Sequence, residues 1–314
     1  MPTIHPQPRV LTYDQGRDHI TWPGAVEALR RGHLLPRAQV GDIFLGPASG
    51  ALLSRAAYIE GLGYGVKSVT VFGANPARDL PTVQGAMLVF GPDDGSVRAI
   101  IDSRLVTEFK TAGDSVLGAQ LLARPDSRHL LILGAGAVAA SLVQAYSAAF
   151  PRLERISVWA RRSEQAEALV ASLGPVAAPV AAVTDLQAAV QAADIISSAT
   201  MAREPLILGD WVRPGTHVDL IGAYKADMRE ADDHLMAKAA LYVDSRDTTL
   251  GHIGELMMPI ASGAISEASV RGDLYDLVAL ATSARRSADE VTVFKNGGGA
   301  HLDLMIASHI AGSD

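Results

Sequence analysis

The stretch His129–Ala140, HLLILGAGAVAA, constrains this chain more than any other. Its first five residues, His129-Leu130-Leu131-Ile132-Leu133, form the short continuous apolar run expected of a parallel strand buried on both faces. The chain then turns through Gly134-Ala135-Gly136 into an Ala-rich helical pattern that runs to about Phe150. Glycine patterns of this kind carry weight only between a strand and a helix, and this one has both. Gly134 permits a tight turn. Gly136, with Ala137 and Val138 in the first helical turn, lets the backbone approach a pyrophosphate whose charge rests on free N–H groups. Ala139 takes the third glycine's place and still allows close helix–strand packing.

The next strand, Ile156–Ala160, lies about 20 residues on, where an acidic residue would grip the ribose 2′-hydroxyl of NAD. The strand leads instead into Arg161-Arg162-Ser163, two guanidiniums and a hydroxyl, with no carboxylate before Glu164. That set matches a 2′-phosphate, so NADP is favoured and NAD left open.

Strands and helices alternate from His129 onward, as a doubly wound parallel sheet requires. Later strands are expected at Val180–Val183, Asp194–Thr200, His217–Gly222, Leu241–Asp244 and Glu290–Lys295, with helices near Ser163–Leu173, Leu186–Ala192, Asp227–Ala239 and Ile253–Ser262. Ligands of such sheets lie at the carboxyl ends of the strands, which marks Ser198–Met201, including Thr200, and Ile221–Lys225. Before this fold the chain is different. A strand-like run at Arg9–Tyr13 precedes a helix over Trp22–Arg31 that Gly32 and Pro36 should stop. Strand-length runs follow at Ala38–Leu45, Ala51–Glu60 and Gly65–Phe72, then a hairpin of Met87–Phe90 with Val97–Ile101. A helix over Ser103–Arg124 leads into the sheet, and a last one covers His301–Ala311. The expected fold is α/β: a Rossmann-type doubly wound parallel sheet, residues 125–296, inserted in a second α+β domain made of residues 1–124 plus 297–314.

Composition excludes several classes. A net charge of −7, with no Lys/Arg run longer than two, argues against nucleic acid as a partner. Without cysteine there is no disulfide framework and no thiolate chemistry. The start MPTIHPQPRV has no apolar leader core, and no apolar stretch approaches the ~18 residues of a membrane span. The expected setting is cytoplasmic. Scattered histidines without an H-E-x-x-H give no metal site, and no G-x-S-x-G elbow or G-K-[ST] loop is present. His301 and His309 read as surface or capping residues.

The segment RLVTEFKTAGDSVLGAQLLARPDSRHLLILGAGAVA resembles the junction in the ornithine cyclodeaminase/mu-crystallin family, where an R-T-A-A helix precedes a Rossmann G-A-G. Further matches are Leu35-Pro36-Arg37, Gly65-Val66-Lys67-Ser68-Val69, Pro214-Gly215-Thr216-His217 with Ile221-Gly222-Ala223, and Phe294-Lys295-Asn296-Gly297-Gly298-Gly299-Ala300 with Asp303. The resemblance implies a homodimer that binds NAD(H) or NADP(H) and acts on a small α-amino or α-imino acid. Activities in the family include ornithine cyclodeamination, alanine dehydrogenation and reduction of cyclic ketimines. It further implies that Arg37 and Lys110 hold the substrate carboxylate, that Lys67 is the acid/base, and that the first domain binds substrate and dimerises. Asp303 matches the family pattern and also suits a helix N-terminus.

Two positions depart from that pattern. The family's R-T-A-A arginine is Lys110, which turns a fork-like contact into a point charge. Where the cyclodeaminases place an aspartate after the I-G-A strand end, this chain has Tyr224, a poor base for a substrate amine. Asp227 is close enough to substitute, but Asp227-Met228-Arg229-Glu230 reads as the first turn of a helix. The segment from Tyr224 is nearer the mu-crystallin branch, which is associated with NADPH-dependent ketimine reduction. The expectation is an NAD(P)H-dependent imino-acid reductase, or the reverse dehydrogenase. An ornithine cyclodeaminase and a non-catalytic ligand-binding protein remain the alternatives.

Overall fold

The computed structural model describes residues 7–47, 49–280 and 283–312. Most of the decapeptide that bears on a leader, residues 1–6, lies outside them. Contacts divide the chain into two compact units, residues 1–110 with 299–314, and residues 111–298.

The first unit contains a six-stranded sheet. Its strands are β1 (Arg9–Leu11), β2 (Gln39–Leu45), β3 (Ala51–Ile59), β4 (Gly63–Val71), β5 (Val83–Phe90) and β6 (Val97–Asp102), in the order β1-β6-β5-β4-β3-β2. Strands β2 to β6 form an antiparallel meander, and β1 joins β6 in parallel. One register row crosses the whole sheet: Leu11, Ile101, Met87, Lys67, Arg55, Asp42. Paired residues in a ladder share a face, so this row passes from apolar at β1 to charged at β2.

Helices α1 (Tyr13–Arg17), α2 (Trp22–His33) and the start of α3 (Ser103–Leu122) belong to this unit, as does the last helix of the chain, Ala300–Ala311. That last helix packs on α2, β3, β4 and β5, and all its residues except His309 are buried. Tyr13, expected in a strand, opens α1 instead, because Thr12 and Gln15 form a capping box. Gly32 does not stop α2 but lies inside it. A Cβ there would come within 2.4 Å of Met305, so the glycine serves helix–helix packing.

The second unit is an all-parallel sheet of eight strands. In chain order these are β7 (His129–Leu133), β8 (Arg155–Trp159), β9 (Val180–Val183), β10 (Ile195–Ser198), β11 (His217–Leu220), β12 (Ala240–Val243), β13 (Val270–Gly272) and β14 (Thr292–Lys295). Their spatial order is β13-β12-β14-β11-β10-β7-β8-β9. The order reverses between β7 and β10, which makes a topological switch point. Helices α4 (Ala137–Ala149), α5 (Ser163–Ser172), α6 (Leu186–Ala192), α7 (Asp233–Lys238), α8 (Arg246–Thr249), α9 (Gly254–Ala261) and α10 (Leu274–Val278) complete the unit, and Ala300–Ala311 is then α11. The core joins Leu131, Leu133, Ile196, Val218, Leu220 and Val293 to the apolar sides of the helices. The helix expected over Asp227–Ala239 begins only at Asp233. Upstream of it the chain turns, the Met228 amide donating to the Lys225 carbonyl, and then Ala231 forms a parallel bridge with Ile207 while the Leu206 and Ile207 amides donate to the Glu230 carbonyl.

Candidate active site

The turn after β7 takes the form its glycines predict. Gly134 has φ +113°, and a Cβ there would also lie 2.7 Å from the Ala199 carbonyl oxygen at the end of β10. Gly136 caps α4 with extended backbone and no side-chain cap, so the first N–H groups of the helix are left for a ligand. A Cβ at Gly136 would meet nothing within 4 Å. Beside it runs a groove of about 400 Å³ lined by Ala135, Gly136, Ala137, Ala140, Gln165 and Ser172 among others. Val138 is half-buried, and Ala139 is buried against the sheet as its small size requires.

Strand β8 pairs with β7 up to Leu133 and Trp159, and the Gly134 amide donates to the Trp159 carbonyl at 2.8 Å. The next residues, Arg161 and Arg162, are exposed, and Arg162 caps α5, whose first residue is Ser163. Both arginines therefore follow directly on the strand end that pairs with the glycine turn. The groove and this basic strand end suit a dinucleotide with a charged adenosine ribose.

On the other side of the switch point, Thr200 and Ile221 follow the ends of β10 and β11. Gly222 brings these two ends into close approach: a Cβ there would come within 1.8 Å of the Thr200 carbonyl oxygen. Both ends are held by the buried carboxylate of Glu230. Its Oε1 accepts from Ser198 Oγ (2.6 Å), the Thr200 amide (2.7 Å) and Thr200 Oγ1 (2.6 Å), and its Oε2 accepts from the Gly222 amide at 2.7 Å. Asp244 does the same at the end of β12, accepting from the amides of Gly297 and Gly298. Lys295, fully buried, donates to the Leu220 carbonyl.

The first unit assembles a different site. Lys67 on β4 is 6% exposed, and its Nζ donates to Asp303 Oδ1 of α11 at 2.6 Å and to Thr107 Oγ1 of α3 at 3.3 Å. Asp303 is fully buried, and its Oδ2 accepts no hydrogen bond among the described residues. Lys110 is also buried. Arg55, opposite Lys67 in the ladder, is held by Asp42. Two residues before Asp303 on α11, His301 stacks edge-on against His33, with ring centroids 5.7 Å apart. Burial, then His33 and the positive charges of Lys110, Arg55 and Arg37, hold the His301 imidazole well below its usual pKa, hence neutral. Arg37, exposed, is thus electrostatically part of the same cluster as Lys110 and Arg55. Arg37, Arg55 and Lys110 all act on His301, and Lys67 lies opposite Arg55 in the ladder, a concentration of positive charge that suits an anionic substrate.

Tyr224 and Asp227 lie on exposed loops of the second unit. Lys225 Nζ is 5.4 Å from the Tyr224 ring centroid, and Asp227 pairs with Arg203 at 3.0 Å. The hydrogen bond from Arg203 holds the Asp227 carboxyl below its usual pKa. Asp227 is therefore a surface ion-pair partner and not a helix-start charge. His301 and His309 also differ from expectation: His301 is buried, because α11 is apolar on every side and lies inside the unit. Sequence reasoning missed Glu230, Glu255, Asp244 and His33, and it did not pair Asp303 with Lys67.

A Rossmann sheet with an open glycine turn, together with a buried lysine in a cationic cluster, defines an α/β protein of the dinucleotide-dependent class. The sequence profile of the ornithine cyclodeaminase/mu-crystallin family matches residues 34–313, and the chain belongs to this family. The Δ1-pyrroline-2-carboxylate reductase of Paracoccus denitrificans (strain Pd 1222) is 70% identical over 304 residues, 97% of this chain and 96% of that protein. The ketimine reductase mu-crystallin of Mus musculus is 35% identical over 241 residues, covering 77% of this chain and 73% of its own. Among solved structures, Thermococcus litoralis Δ1-pyrroline-2-carboxylate reductase in complex with NADH and L-proline matches with a TM-score of 0.89 at 26% identity, over 97% of both chains.

Proposed function

We propose that this protein is an NAD(P)H-dependent reductase of cyclic α-imino acids, with Δ1-pyrroline-2-carboxylate as its substrate and NADPH as its preferred cofactor. The observation that carries the reading is the buried Lys67–Asp303 pair, 2.6 Å apart, inside a cationic cluster. When bound, the nicotinamide supplies the hydride that becomes the new C–H bond at C2 of the imine. The chain supplies the rest. Arg37 and Lys110 hold the substrate carboxylate, Lys67 delivers the proton to the imine nitrogen, and Asp303 fixes the ammonium that delivers it. One hydride and one proton convert the imine to the amine, and the reverse reaction returns both. Gly134, Gly136, Ala137 and Val138 would receive the pyrophosphate, Arg161, Arg162 and Ser163 the 2′-phosphate, and Thr200 and Ile221 the nicotinamide half. Residues 125–296 act as the nucleotide domain inserted in the substrate domain.

The protein works as a homodimer in the cytoplasm. Edge strand β2 supports the dimer, because Val40, Ile43, Phe44 and Leu45 are all exposed along it, and exposed apolar edges call for a cover. No helix among the described residues is long and apolar enough to cross a membrane.

The test follows NADPH oxidation at the nicotinamide band with five- and six-membered cyclic α-imino acids, beside an ammonia assay with ornithine and NAD. Turnover of an imine with NADPH is expected. Ammonia from ornithine without imine turnover overturns the reading in favour of cyclodeamination.

A further inference from the structure

The most heavily hydrogen-bonded carboxylate outside the Lys67 cluster belongs to Glu230. It is fully buried and takes part in no ion pair among the described residues. Besides the four short bonds described above, Oε2 also receives the Ala223 amide at 3.4 Å. These donors come from two separate strand ends, 198–200 on β10 and 222–223 on β11. The residue is itself anchored. Its amide and that of Ala231 donate to the Glu255 carboxylate of α9 at 2.8 and 2.9 Å, and its carbonyl accepts from Leu206 and Ile207. A chain of contacts thus runs from α9 through two carboxylates to the turns on one side of the switch point.

The direction of the chain says which part of a dinucleotide those turns meet. The glycine turn after β7 and the arginines after β8 lie on one side of the reversal and suit the pyrophosphate and adenosine. A dinucleotide that crosses the reversal places its other half over the ends of β10 and β11. We propose that Glu230 is a positioning residue for the nicotinamide half: its carboxylate fixes the 199–201 and 221–223 turns in the shape that receives that half, and Glu255 holds Glu230 in place. The proposal rests on the reading that the second unit binds NAD(P)H. Five donors converge on its two oxygens, three of them backbone amides that can only donate. An amide at this position turns an NH2 group toward the backbone N–H groups of Thr200, Gly222 and Ala223, of which Gly222 alone has a second acceptor among the described residues, the Ser198 carbonyl at 3.2 Å.

The test uses Glu230→Gln and, as a variant that keeps the acceptor and removes one donor, Ser198→Ala. NADPH binding is titrated by nicotinamide fluorescence, and binding of ADP-ribose 2′-phosphate, which lacks the nicotinamide half, by calorimetry. Glu230→Gln is expected to weaken NADPH about 10- to 100-fold and Ser198→Ala by about 2- to 10-fold, with the half-ligand unchanged and KM for the imine within about twofold. Glu230→Asp, which shortens the reach but keeps the anion, should recover part of the loss. Equal weakening of both ligands, or of neither, overturns the proposal. If Glu230→Gln fails to fold, Ser198→Ala decides alone by the same criterion. Failure of the unaltered protein to bind NADPH or the half-ligand removes the underlying reading instead, and is seen before any variant is made.

Discussion

Lys67 and Asp303 are separated by 236 residues of chain and by 2.6 Å in space, and Asp303 is the carboxylate that pairs with the buried Lys67 among the described residues. An ammonium and a carboxylate in this setting favour a fixed proton position, as a proton donor to an imine requires. Lys67→Met is expected to lower kcat at least about 100-fold with cofactor binding preserved. Asp303→Asn should lower kcat by about tenfold or more, through the loss of orientation. Steady-state kinetics with NADPH and a cyclic imino acid check both, and an unchanged kcat for Lys67→Met means that the proton comes from elsewhere.

Lys110 stands where the family pattern has arginine, and it lies in the charge cluster sensed by His301. Lys110→Ala is expected to raise KM for the imino acid about tenfold or more while KM for NADPH stays within about twofold. A rise confined to the cofactor would place Lys110 outside the carboxylate site.

Arg161 and Arg162 are exposed beside the glycine turn, so their removal carries little folding cost. The double substitution to alanine should raise KM for NADPH about 10- to 100-fold and leave KM for NADH nearly unchanged. Equal effects on both cofactors would mean that the two guanidiniums do not read the 2′-phosphate.

At Gly222 the close approach to the Thr200 carbonyl leaves no room for a side chain. Gly222→Ala is expected to cost about 1–3 kcal/mol of stability and to loosen dinucleotide binding as the two strand ends separate. Urea unfolding and NADPH titration measure the two effects. A variant as stable as the parent would show that the turn adapts.

Asp219, buried in the sheet with Ser197 Oγ 2.6 Å away, has its pKa pushed up by burial to about 7. A carboxyl whose folded pKa lies above its unfolded value near ~4 stabilises the fold while protonated. That stability is complete below about pH 4 and is lost as pH rises through about 7. Asp219→Asn removes this proton uptake. The urea midpoint of the parent should fall between pH 5 and pH 8 by more than that of the variant, and parallel profiles would contradict the assignment.

What the sequence made legible was local. Gly134 announces itself because a positive φ and a strand carbonyl behind it both demand glycine, and the strand–turn–helix around it leaves a pattern within twelve residues. Lys67 is singled out only by resemblance, since a single lysine in a β-strand carries no signal of its own. Glu230 escaped for the opposite reason. In the run Asp227-Met228-Arg229-Glu230 it looks like an acidic residue opening a helix, while its true donors lie 7 to 32 residues away. His301 was misjudged because a helix apolar all round does not reveal which polar residue shares its burial. Gly32 was read as punctuation, and only the Met305 side chain against it reveals a packing contact.

The position of α11 has a consequence for how the protein is made. Strands β2 to β6 leave the ribosome long before the helix that covers them, and Lys67 emerges 236 residues before its carboxylate. Through most of synthesis strands β3 to β5 lack the helix that packs on them, and Lys67 on β4 lacks the carboxylate it pairs with. The nucleotide sheet is completed by β14 immediately before α11 appears, so the half of the machinery that would take the cofactor matures first. On the proposed roles of Lys67 and Asp303, competence to protonate a substrate would arrive with the closing turns of translation, and a chain interrupted before Asp303 would carry a dinucleotide fold without it.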